Sequence, residues 1–163
     1  MKEHFNKIDN KLSLYNYFDY EGNPYQKFRT KIIIEKIYDI VISRNGVVKI
    51  LDIGCANGFI ISKLSSVLRD KVKCTGIDFL DDNIIEAKFL SNQTFICDDL
   101  SGSFPVNIEE YDIILLSDFL YYLDENHKVS LLNELSLKCS SSTNILLCTR
   151  FSSSSKMYDS YHD

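Results

Sequence analysis

The chain has 163 residues, 45% of them hydrophobic and 25% charged, and its 18 basic and 23 acidic side chains give a formal charge of −5. That length suits one domain with a real core and is too short for two, and the ordinary fractions exclude disordered and fibrous classes. The acidic balance argues against a nucleic-acid-binding surface, which shows a basic excess or stripe.

The opening residues, Met1 to Lys7, are polar and lack the apolar centre of a secretory signal. The longest apolar runs, Ile32 to Ile34 and Ile113 to Leu116, stop far short of the roughly 18 residues that span a bilayer, so no membrane association is expected. Five cysteines (Cys55, Cys74, Cys97, Cys139 and Cys148) form no CxxC pair and have no closely spaced histidine. Neither a disulfide framework nor a metal site follows, and a reducing, cytoplasmic setting is the simplest one.

A tyrosine-rich start (Tyr15, Tyr17, Tyr20) leads into a turn at Gly22 to Tyr25. From Tyr25 to Ser43 apolar residues fall at helical spacing (Phe28, Ile32, Ile33, Ile37, Ile40, Val41), and Asn45-Gly46 ends the pattern. Val47 to Ile53 is a β-branched run stopping at Gly54, as a buried strand does. Helical spacing returns from Asn57 to Leu68, followed by a strand from Val72 to Ile77 and a helix from Asp81 to Leu90. Gln93 to Cys97 reads as a third strand, and Tyr111 to Leu116 as a fourth, apolar enough to be central. A helix from Asn126 to Lys138 and a strand from Asn144 to Thr149 complete the series. Strands alternating with helices at this spacing predict an α/β, Rossmann-like doubly wound fold: a mainly parallel sheet with helices on both faces, in a single domain over 1–163.

In such a sheet, ligands bind beyond the carboxyl ends of the strands. There the first strand ends in Asp52-Ile53-Gly54-Cys55-Ala56-Asn57-Gly58. Gly54 lets a ligand press on the backbone, and Gly58 opens a helix whose N–H groups point at the same spot. Asp78, twenty residues on, closes the second strand, where a carboxylate can accept both hydroxyls of a ribose. A dinucleotide site calls for G-x-G-x-x-G around a pyrophosphate; this turn offers G-x-x-x-G with Asp52 close by, which repels phosphate and suits a cation. Charge therefore favours S-adenosyl-L-methionine over NAD.

The stretch "VKILDIGCANG" resembles motif I of the class I S-adenosylmethionine-dependent methyltransferases, with Ala56 at the middle glycine. The resemblance implies that Asp52, Gly54, Cys55, Ala56 and Gly58 surround the methionine part of the cofactor. "TGIDF" is similar to the second motif, so Asp78 would hold the ribose, with Phe79 or Leu80 beside the adenine. "TFICDDL" resembles the third, giving Asp98, or Asp99 one residue on, to the adenine amino group. "YDIILLSDFLYYLDE" resembles the fourth strand and its loop, with Ser117 and Asp118 where methyl donor and acceptor meet. The resemblance covers residues 25 to 149 and implies direct methyl transfer to a small molecule, such as a sugar or other metabolite.

For chemistry at the acceptor, Asp118 and His127 are the candidate catalytic residues, and Tyr121 and Tyr122 the candidate substrate contacts. The segment 1–24 is expected either to fold over the cofactor as a lid or only to cover the sheet. Arg29 is expected on a solvated helix face, the alternative being that it neutralises the cofactor's carboxylate. The family's sheet has seven strands, and the 14 residues after Thr149 are too few for two more. Either the chain is truncated there, with 150–163 a tail, or a partner or second copy closes the sheet. A non-catalytic cofactor-binding module stays open for the same reason.

Overall fold

The computed structural model describes residues 22–149. The segments to which a lid and a tail were ascribed lie outside them, except for Gly22 to Pro24. In chain order the elements are α1 (Pro24–Ile42), β1 (Val48–Ile53), α2 (Phe59–Leu68), β2 (Val72–Asp78), α3 (Asp81–Leu90), β3 (Thr94–Cys97), β4 (Ile113–Ser117), α4 (Glu125–Lys138) and β5 (Asn144–Cys148). Single 3-10 turns at Arg69–Lys71, Ile108–Glu110 and Leu120–Tyr122 were not foreseen from periodicity, because three residues carry none.

Local chemistry sets the helix starts. Asn23 caps α1 by accepting from the backbone N–H groups of Tyr25 and Gln26, and Pro24 sits at the first turn, where its missing N–H costs nothing. Asp124 caps α4 through the His127 N–H.

All strands pair in parallel, in the order β3-β2-β1-β4-β5. The chain builds outward from β1 through β2 to β3, then returns to the other side of β1 as β4. Strand order therefore reverses between β1 and β4, and the carboxyl end of that seam is where an open α/β sheet leaves a crevice.

Side chains alternate across the sheet and feed two cores. On one face Val48 and Ile50 of β1, Cys74 of β2, Phe95 of β3 and Leu115 of β4 pack against Ile37 of α1, Leu64 of α2 and Ala87 of α3. On the other, Leu51, Ile53, Ile77, Ile114 and Leu116 pack against Leu131 and Leu135 of α4 and against Ile108. β4 is buried along its whole length between β1 and β5, as its unbroken apolar run implies. Among the described residues β3 and β5 are the two edges, and on β5 Ile145 and Leu147 are about half exposed.

One helix face departs from expectation. Phe28 and Ile32, read as core residues, are 64% and 40% exposed, while the buried stripe of α1 runs through Gln26, Arg29, Thr30, Ile33, Ile37 and Val41. The second half of α1 lies on the apolar core, but its first two turns overhang the carboxyl end of the sheet. Arg29 faces inward there because Ser117 and Asp118 lie beneath it.

Candidate functional site

Asp52, Asp78 and Ser117 share the strand parity of Ile50, Cys74 and Leu115, so all three side chains stand on the α1 face at the carboxyl end of β1, β2 and β4. A hollow opens above them. Asp52, Gly54, Cys55, Ala56, Asp78, Phe79, Asp98, Asp99, Ser117, Asp118, Tyr121 and Tyr122 all line it.

The turn after β1 is tied to β2: the N–H groups of Gly54 and Cys55 both donate to the Ile77 carbonyl, at 2.8 and 3.0 Å. Gly54 has φ +78°, and a Cβ there would lie 2.5 Å from Cδ2 of Phe119. Ala56 also sits in the left-handed region, φ +47°, at the position where the motif carries glycine. That conformation costs an alanine about 1–2 kcal/mol, and it aims the Ala56 N–H at Asp78.

Asp78 is held by backbone and side-chain donors. Its Oδ2 accepts from the Ala56 N–H at 3.0 Å, and its Oδ1 from the Leu80 N–H at 3.1 Å and the Asn83 amide at 2.8 Å. Burial raises its pKa, and the bonds from Asn83 and from the Leu80, Ala56 and Phe79 backbone pull the other way. Each carboxylate oxygen has two acceptor sites; Oδ1 is taken twice, so room for at most one further donor is left, on Oδ2. Asp98, half-buried, accepts from the Leu100 N–H at 2.7 Å; exposed Asp99 accepts from the Ser101 N–H at 3.0 Å.

Asp52 is different. It is 2% exposed, and neither carboxylate oxygen has a hydrogen-bond partner. Burial pushes its pKa up to about 7, with Arg29 lowering and Asp78 raising it. A buried carboxylate without donors is costly, and here it faces a hollow open to a ligand. A positively charged ligand group would remove that cost; a phosphate would add to it.

Arg29 corrects the expectation of a solvated helix face. It is 7% exposed, and its Nη1 reaches Asp118 Oδ2 at 2.5 Å and Ser117 Oγ at 3.0 Å. The guanidinium thus fastens α1 to the end of β4. Arg29 stands four and eight residues before the buried Ile33 and Ile37, and so on their face of the helix. Asp118, φ +51°, donates its N–H to the Cys148 carbonyl at 2.7 Å. Phe119 then turns back over Gly54, a placement that no periodicity in the sequence announces.

Two expected site residues stand apart. Gly58 does not line the hollow; a Cβ there would meet Ala87 and Phe95 at 2.8 Å, so glycine lets α2 seat closely against α3 and β3. His127 is 55% exposed, its Nδ1 lies 2.6 Å from Asp124 Oδ2, and it borders an adjoining hollow that shares Phe79, Asp99 and Tyr122 with the first. Tyr121 and Tyr122 are half-buried, with ring centroids 4.4 Å apart and hydroxyls at 3.4 Å.

The chain and its fold are similar to those of known methyltransferases. Over 91 residues the chain is 31% identical to a malonyl-[acyl-carrier protein] O-methyltransferase of Bacillus anthracis, covering 53% of this chain and 32% of that protein. Its fold is similar to that of the plantazolicin methyltransferase BpumL, solved in complex with SAH, at TM-score 0.69 and 26% identity over 90% of this chain and 55% of that one. A TehB-like SAM-dependent methyltransferase from Corynebacterium glutamicum shares the fold at TM-score 0.56 and 22% identity, over 66% of this chain and 58% of that one. The chain thus spans about a third of the Bacillus protein and just over half of BpumL. Residues 35–156 match the family described as a methyltransferase domain, and the chain belongs to that family.

Proposed function

We propose that the hollow binds S-adenosylmethionine and that the chain transfers its methyl group directly to a small-molecule acceptor. The observation that carries this reading is Asp52, a buried carboxylate with no donor, facing a cleft at the strand-order reversal of a methyltransferase-family sheet. The Bacillus relative's name and the SAH in BpumL support the same ligand class.

Each residue then has a task. Asp52 would attract the ligand's positive end, the backbone of Gly54 to Ala56 would lie against it, and Asp78, oriented by these donors, would accept from a ribose hydroxyl at Oδ2. Phe79 and Leu80 would flank the adenine, with Asp98 or Asp99 at its amino group. When bound, the ligand supplies a methyl group on a positively charged sulfur, which needs only an acceptor lone pair in line with it. Asp118 is engaged by Arg29, so its part is to anchor the guanidinium beside Ser117. Tyr121 and Tyr122 would shape the acceptor side, and an acceptor reaching into the adjoining hollow would meet His127. A reducing, cytoplasmic setting would suit five cysteines without a CxxC pair. Among the described residues no helix is long and apolar enough to cross a membrane.

Isothermal titration with S-adenosylmethionine and with S-adenosylhomocysteine (SAH) tests the reading. Binding in the micromolar range is expected, and Asp78→Ala should abolish most of it. An absence of heat with both ligands would end the proposal. Transfer of a labelled methyl group to a cell extract then separates an enzyme from a cofactor-binding module.

A further inference from the structure

Among the described residues, three buried carboxylates and one buried guanidinium line the hollow. Arg29 bonds Asp118 through Nη1 while its Nε has no partner, Asp78 is held by its own donors, and no donor reaches either buried oxygen of Asp52. The groups facing it are Arg29 from α1, Asp78 and Cys74 from β2, and Cys55 from the glycine turn, with Asp118 behind Arg29. Its register neighbours, Gly76 on β2 and Leu115 on β4, carry no charge. Burial raises the Cys55 thiol well above its usual range and pushes Cys74 up to about 12, so both are neutral near pH 7 and supply no counter-charge. A buried anion in that position is relieved in one of two ways: by taking up a proton or by meeting a cation.

We propose that Asp52 carries a proton in the free protein and releases it to solvent when the ligand's cationic end binds, so that ligand binding is a one-for-one exchange of a proton for a positive charge. The inference rests on the hollow being an S-adenosylmethionine site. Only the O–H bond of the carboxylic acid breaks, and the ligand's charge replaces the proton beside the carboxylate. Burial places the free-state titration of Asp52 at about 7. Affinity should therefore climb as pH rises toward neutrality, by up to about tenfold per unit, and level off above it. SAH serves as the probe because it retains the amino-acid end of the ligand.

Calorimetric titration of the full chain with SAH, in buffers of low and high ionisation enthalpy, counts the protons released. Near one proton per SAH is expected at about pH 6, and few at about pH 8. The Asp52 carboxyl carbon, followed by NMR, should titrate near neutrality in the free protein and stop doing so in the SAH complex. Equal heats in both buffers at the lower pH, or a free-state Asp52 titrating below about 5, overturns the exchange while leaving the binding site in place. No SAH binding at either pH removes the site itself, and the free-protein NMR titration still decides whether Asp52 holds a proton.

Discussion

At Gly54 a single missing methyl group decides what packs above the sheet. The left-handed backbone and the Phe119 ring over its α-carbon leave no room for a side chain. Gly54→Ala should displace Phe119 together with the loop after β4. We expect a loss of about 1–3 kcal/mol of stability and SAH affinity reduced at least tenfold, measured by denaturant unfolding and calorimetry. Wild-type affinity in a stable Gly54→Ala protein would mean that Phe119 is free to yield. Gly54, Asp52 and Asp78 were legible in the sequence because strand-end position and residue type suffice to find them. The contact from Phe119 was not, because it joins residues 65 positions apart through a loop with no repeating pattern.

Among the elements, α1 shows most clearly how tertiary context overrides periodicity. Its spacing announced a helix, and a helix forms, but three consecutive isoleucines do not say which of them faces inward. The overhang of its first two turns turns Phe28 out and Arg29 in. Removing one partner of a buried ion pair strands the other. Arg29→Met is therefore expected to cost about 3–5 kcal/mol in denaturant unfolding, with Asp118→Asn in the same chain recovering a large part. Simple additivity of the two losses would show that the pair is not coupled.

For the molecule as a whole, the raised carboxyl of Asp52 sets an unusual pH dependence. An aspartate in an unfolded chain ionises near 3.8, whereas folded Asp52 ionises at about 7, so between these values the folded state binds the extra proton. Folding stability conferred by this group is complete below the lower value and is lost as pH rises through the upper one. Thermal unfolding of the free protein should show Tm falling from about pH 5 to about pH 8. Asp52→Asn should flatten that slope and raise stability at the alkaline end by up to about 4 kcal/mol, at the expense of ligand affinity. A wild-type Tm that rises over the same interval would contradict this.

The order of elements, the parallel sheet and the strand-end carboxylates followed from the sequence by itself, because alternation, helical spacing and glycine turns are local physical constraints written residue by residue. The tertiary structure alone decided that Arg29 is buried, that Asp118 is paired, that Gly58 serves packing and that His127 stands aside. Those outcomes depend on which distant surfaces meet and on how much water is excluded between them. Solvation and long-range contact have no signature in a short stretch of chain.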